Sequence, residues 1–81
     1  MEVSFTQRAD KDYARLSPRI RLALGKQLAH LLINLQHPSL HAKKYDQANN
    51  LWQGRVNRSW RFYFAIRGDE YVVLAIIPHP K

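Results

Sequence analysis

The chain has 81 residues, with 13 Lys and Arg against six Asp and Glu and no cysteine. That length bounds it to one small domain with a thin core. A hydrophobic share of 46% with 11% aromatics excludes disorder, and the missing thiols exclude disulfides and thiolate metal sites. No apolar run approaches the ~20 residues of a membrane helix. Nothing at the N-terminus resembles a signal peptide, so the expected location is the cytoplasm. The net charge of +7 points to an anionic partner, either nucleic acid or an acidic protein.

Val3 to Gln7 alternate apolar and polar residues and predict a short strand. Asp10 and Asp12 then suit the start of a short helix, with Tyr13 and Leu16 on its apolar side. Ser17-Pro18 is an N-cap followed by a first-turn proline. A second helix is expected from Pro18 to about Gln36, its stripe made by Ile20, Leu24, Leu28, Leu31 and Leu35. His37-Pro38 ends it, and residues 38–50 are expected to be loop.

The last third predicts three strands: Leu51 to Val56, Ser59 to Arg67 and Glu70 to Ile77. Gly68-Asp69 suits a type II′ hairpin that would pair Arg67 with Glu70 as a cross-strand ion pair. Trp60, Phe62, Phe64 and Ile66 share one face of the middle strand, and Arg61, Tyr63, Ala65 and Arg67 the other. A two-residue turn at Asn57-Arg58 would set Arg55 opposite Trp60 and mix charge into the aromatic face. A three-residue turn through Ser59 pairs Val56 with Trp60 and Arg55 with Arg61, which keeps both faces consistent.

The last strand is apolar on both faces and is therefore internal. The N-terminal strand must flank it. The expected fold is α+β, in the order β-α-α-β-β-β. Its two helices cover one face of a four-stranded, mainly antiparallel sheet of order 1-4-3-2.

This layout resembles the RelE/ParE toxin superfamily of type II toxin–antitoxin systems. The resemblance concentrates in Leu51-Trp52-Gln53-Gly54-Arg55-Val56-Asn57-Arg58-Ser59-Trp60-Arg61-Phe62-Tyr63-Phe64. That segment is similar to the family pattern of aromatic, two residues, Arg, aliphatic, short turn, then Arg before aromatic and aliphatic residues. The ending Ile76-Ile77-Pro78-His79-Pro80-Lys81 also resembles members with a His near the C-terminus. Family members often carry a Tyr or Phe just beyond it, where this chain has Pro80 and Lys81.

The resemblance implies a toxin held by a cognate antitoxin. Many members are ribosome-dependent messenger RNA endonucleases that use no metal or other cofactor. Members of the ParE branch poison DNA gyrase instead, and an inactive relative would serve as a binding module.

Metal-free RNA cleavage needs a base for the 2′-hydroxyl, cations for the crowded phosphorus and an acid for the leaving 5′-oxygen. Arg55 and Arg61 suit the phosphate, because a guanidinium fork matches its oxygens. His79 suits proton transfer, since imidazole exchanges protons near neutrality. Strict alternation from Ile77 would turn His79 to the helix side unless Pro78 breaks it.

Lys43, Lys44, Arg58, Tyr63 and His41 are the expected RNA contacts, with Tyr63 either stacking on a base or packing. Some relatives place an acidic base in the preceding loop. No Glu stands there, and Ala42 is near that position. Five of the 13 basic residues lie between positions 43 and 61, against the single acid Asp46. Val72, Leu74 and Ile76 are expected beside Arg61 and Tyr63, as an apolar strip for an acidic, amphipathic antitoxin segment.

Overall fold

The structure, a computed structural model, describes residues 1–79. Pro80 and Lys81, and the comparison with a terminal aromatic, lie outside the described residues. The elements run β1 (Glu2–Phe5), α1 (Gln7–Ala14), α2 (Pro18–Ile33), a 3-10 turn (Pro38–Leu40), β2 (Lys43–Asp46), β3 (Leu51–Arg55), β4 (Trp60–Arg67) and β5 (Glu70–Pro78).

The sheet has five strands in the order β1-β5-β4-β3-β2. The expected order of four is retained, and β2 is added at one edge. The strand Lys43-Lys44-Tyr45-Asp46 carries no apolar alternation, so its sequence reads as loop. Its three leading residues are exposed, as suits a short, charged edge strand that discourages further pairing. β1 runs parallel to β5, and all other neighbours are antiparallel.

α1 starts earlier than the acidic residues suggest. Thr6, not Asp10, is the N-cap, and its Oγ1 accepts from the Ala9 amide at 3.2 Å. Ser17 caps α2 as expected, accepting from Ile20 N. α2 ends at Ile33, three residues before the expected Gln36. Asn34 leaves the helical region, and its Oδ1 accepts from Gln36 N at 2.9 Å. This local turn competes with further helix. Arg21 holds the end of α1, donating through Nε to Tyr13 O and through Nη2 to Ala14 O.

The core lies between the helices and one sheet face. Leu24, Leu31, Leu40, Phe62, Phe64 and Val73 are its largest fully buried members, with Ile20, Leu28, Leu35, Trp52 and Trp60 packed around them. Phe62 lies directly against Gly54, where a Cβ would sit 2.5 Å from its ring. Only glycine leaves room for that ring. Beyond β1, the edge of β5 is covered by α1 and its cap. Thr6 Oγ1 donates to Leu74 O, and Asp12 Oδ2 accepts from Ile76 N at 3.0 Å.

Two features of the register matter for function. The β3–β4 turn is the three-residue one: Arg55 lies opposite Arg61, and Val56 N donates to Trp60 O. β5 carries a bulge. Phe64 pairs with Val73 and Tyr63 with Ala75, so Leu74 is the extra residue. The bulge inverts the expected alternation. Ile76 moves into the core at 2% exposure, and Ile77 moves opposite Arg61.

Gly68 takes a φ of 60° in the β4–β5 turn, and Asp69 does not share the positive φ. Arg67 and Glu70 pair in register. Among the described residues they form no ion pair, because Glu70 Oε1 accepts from Ser4 Oγ at 2.8 Å instead.

Gln27 ties α2 to the sheet. Its Nε2 donates to Ser39 O and Arg55 O, each at 2.8 Å, and its Oε1 accepts from Ser39 Oγ. Gln27→Leu keeps the bulk but strands both carbonyls. It should cost about 1–3 kcal/mol, read as a lower urea midpoint at unchanged slope.

Candidate active site

The sheet face opposite the helices carries the candidate site. Cross-strand neighbours sit ~5 Å apart, so the register defines rows of side chains. One row is Arg55, Arg61 and Ile77. The next, toward the middle of the strands, is Lys43, Gln53, Tyr63 and Ala75. Rows lie two residues apart, or ~6.6 Å. On the other side of the arginine row, His79 N donates to Ser59 O at 2.7 Å, which extends the ladder by one pair.

The bulge at Leu74 decides where His79 belongs. With Ile77 opposite Arg61, a residue two further along falls on the same side. The expected turn of His79 toward the helices is thus corrected by the inserted residue, and His79 is exposed. The expected apolar strip is corrected with it. Ile76 is core, and the apolar residues paired across this face are Val72, Ala75 and Ile77.

Arg61 is half-buried and held in place. Its Nη1 donates to Asn57 O at 2.7 Å and to Trp60 O at 2.9 Å. Asn57 is itself fixed, because its Oδ1 accepts from the amides of Ser59 and Trp60. Among the described residues, Arg61 Nε and Nη2 take no hydrogen-bond partner. No carboxylate there lies within ion-pair distance of Arg55 or Arg61. Two like charges placed opposite one another destabilise a sheet, and an anion between them removes that cost. One guanidinium edge is anchored and the other is open, an arrangement suited to phosphate oxygens.

The other expected RNA contacts divide. Lys43 and Tyr63 join the arginine face. Arg58 is exposed at the tip of the β3–β4 turn. Lys44 does not join them: it pairs with Trp52, and its Nζ lies 5.6 Å from that ring on the helix side. The strand period of two separates adjacent lysines. His41 also stands apart. It follows the 3-10 turn with a φ of 46° and lines a cleft of about 320 Å³ with Lys26, His30, Ser39 and Arg55. Among the described residues, no three His, Asp or Glu side chains converge as a metal site requires.

Three further residues belong to the site beyond those expected from the sequence. Asn57 anchors Arg61, and Gln53 Nε2 donates to the Tyr63 hydroxyl at 2.8 Å. Tyr45 packs edge-on against Tyr63 at 5.2 Å. Asn57 does carry a sequence signal, since Asn favours turns that bond their own backbone. Tyr45 and Gln53 carry no local signal, because only the register sets their face.

Asp46 ends β2 and accepts from Asn49. The side-chain amide of Asn49, then its backbone N–H, hold this carboxyl below the ordinary carboxylate range. A lowered pKa stabilises the turn above the unfolded value, and that support is lost as pH falls through the folded one. The Asn49 amide resonance should therefore move on acidification below the usual Asp range. An Asp46→Asn variant should lack that movement.

No protein-family model matches the sequence, and no curated protein matches it at the sequence level. Solved structures do match. A YoeB/ParE toxin from Agrobacterium tumefaciens superposes with a TM-score of 0.82 at 15% identity, covering 99% of this chain and 100% of that one. The YoeB dimer from Staphylococcus aureus gives 0.82 at 13% identity, with coverage of 99% and 98%. The intact Escherichia coli RelBE toxin–antitoxin complex gives 0.76 at 17% identity, with coverage of 98% and 96%. Over essentially its whole length, this chain has the fold of the RelE, YoeB and ParE toxins.

Proposed function

We propose that this chain is the toxin of a type II toxin–antitoxin pair and acts as a metal-independent messenger RNA endonuclease on the ribosome in the cytoplasm. The observation that carries this reading is the Arg55–Arg61 pair. The two arginines are directly opposed in the β3–β4 register, and among the described residues neither forms an ion pair with a carboxylate. The RNA 2′-hydroxyl attacks the adjacent phosphorus, the P–O5′ bond breaks, and a 2′,3′-cyclic phosphate and a 5′-hydroxyl result. Arg61 and Arg55 stabilise the negative charge that builds on the phosphate oxygens. His79, beside that row, exchanges the proton as acid or base. The basic face, with Lys43 and Arg58, docks on ribosomal RNA.

The partner is an antitoxin whose acidic, amphipathic segment covers the arginines together with the half-buried Ala75 and Ile77. The E. coli relative was crystallised as a toxin–antitoxin complex, which supports such a partner.

The test adds purified protein to a translation reaction and maps transcript ends by primer extension, with a gyrase supercoiling assay in parallel. New 5′ ends with unchanged supercoiling are expected. Intact transcripts with inhibited supercoiling would overturn the nuclease reading in favour of a gyrase poison. Neither effect would leave a binding module.

A further inference from the structure

We propose that Tyr45 is a stacking platform for one unpaired nucleobase of a single-stranded RNA whose phosphate lies on the arginine pair. The inference rests on the RNA-cleaving reading and adds a base-binding subsite to it.

Tyr45 is 65% exposed, more than any other Phe, Trp or Tyr among the described residues. A ring that open contributes little to the core. Its position is nonetheless defined. Lys44 pairs with Trp52 and Asp46 with Leu51, so Tyr45 is the extra residue of a bulge in the edge strand. Bulges of this kind re-aim a side chain. The ring meets Tyr63 at an interplanar angle of 73° with centroids 5.2 Å apart. Tyr63 is fixed in turn by the bond from Gln53 to its hydroxyl. On the far side, the bonds from Asn49 to Asp46 close the turn that follows. An exposed aromatic packed edge-on against one fixed neighbour, on a bulge whose following turn is closed, presents a ring face that needs little reordering on binding.

The neighbours indicate the ligand. Lys43 shares the row of Gln53 and Tyr63, and the Arg55–Arg61 row lies beside it at the two-residue spacing of ~6.6 Å. A cationic row beside an aromatic platform matches a nucleotide, which joins an anionic phosphate to a flat base. A duplex hides its bases, so the ligand is single-stranded. Every base has a π-face, so Tyr45 contributes affinity without selecting sequence.

The test measures binding of a short, unstructured, labelled single-stranded RNA to the full chain by anisotropy across a salt series. Tyr45→Ala should weaken binding about 5- to 150-fold, and Tyr45→Phe should retain it. The salt slope should stay at the wild-type value in Tyr45→Ala, because no phosphate contact is lost. Arg61→Ala should lower that slope by about 0.7.

Equal binding by Tyr45→Ala and wild type would overturn the subsite and leave the nuclease reading intact. A salt slope reduced in Tyr45→Ala as in Arg61→Ala would also overturn it, since Tyr45 would then be ordering phosphate contacts. No RNA binding by wild type would overturn the RNA reading and the subsite together.

Discussion

Arg61→Ala should lower RNA cleavage by about 10²–10³-fold, the usual cost of removing one donor aimed at developing charge. The same variant should fold. Arg61 contributes two hydrogen bonds, to Asn57 O and Trp60 O, each worth about 0.5–1.5 kcal/mol. Against that stands its repulsion with Arg55 across the strands, a cost of about 0.2–1 kcal/mol. The repulsion offsets only part of that, so a net loss of about 1–2 kcal/mol should lower the melting temperature by roughly 4–16 °C, with the domain still folded while activity collapses. Arg61→Lys keeps the charge but loses the planar fork and should recover only part of the rate. Cleavage in a translation reaction, read beside a thermal melt, separates chemistry from folding. Activity lost only in step with stability would mean that Arg61 is structural.

Phe62→Ala should be the most destabilising single change, at about 3–5 kcal/mol. Phe62 is fully buried and sits between Gly54 on the neighbouring strand and Phe64 on its own. A domain of this size has total stability of only about 4–12 kcal/mol. Gly54→Ala acts on the same contact from the other side. Its new methyl would meet the Phe62 ring at 2.5 Å, an overpacking cost of about 1–3 kcal/mol. The ring has nowhere to go, because the core encloses it. In the double variant the methyl enters space the ring has vacated. The pair should therefore be less destabilised than the sum of the single changes, with a coupling of about 0.5–3 kcal/mol by urea denaturation. Strict additivity would mean that the two residues do not share that space.

The arginine pair is legible in the sequence, for a physical reason. Only the three-residue turn keeps Trp60, Phe62 and Phe64 on one face and the charges on the other. The observed register follows that rule. The same rule has nothing to act on in β5. Residues 71–77 are apolar throughout, so alternation carries no phase and a bulge at Leu74 leaves no trace in the sequence. That one residue sends Ile76 inward and sets Ile77, two residues before His79, opposite Arg61. β2 is hidden for the opposite reason, because its residues are mostly exposed and polar and show no apolar period. Tyr45 is hidden with it. The early end of α2 rests on a side-chain turn at Asn34, which competes locally with a stripe that otherwise continues to Leu35. Residues whose face is set by the core are predictable from the sequence. Those placed by an edge or a bulge are not.

Arg55, Arg61 and His79 are proposed to serve attack by an RNA 2′-hydroxyl, and the function stands or falls on that step. The most direct measurement places a single 2′-deoxynucleotide at the mapped cleavage position of a message and repeats the primer-extension assay. Cleavage at that position should disappear, while neighbouring sites on the same transcript are still cut. Undiminished cleavage at the 2′-deoxy position would contradict the proposed chemistry, because the nucleophile would then have to come from water rather than from the RNA itself.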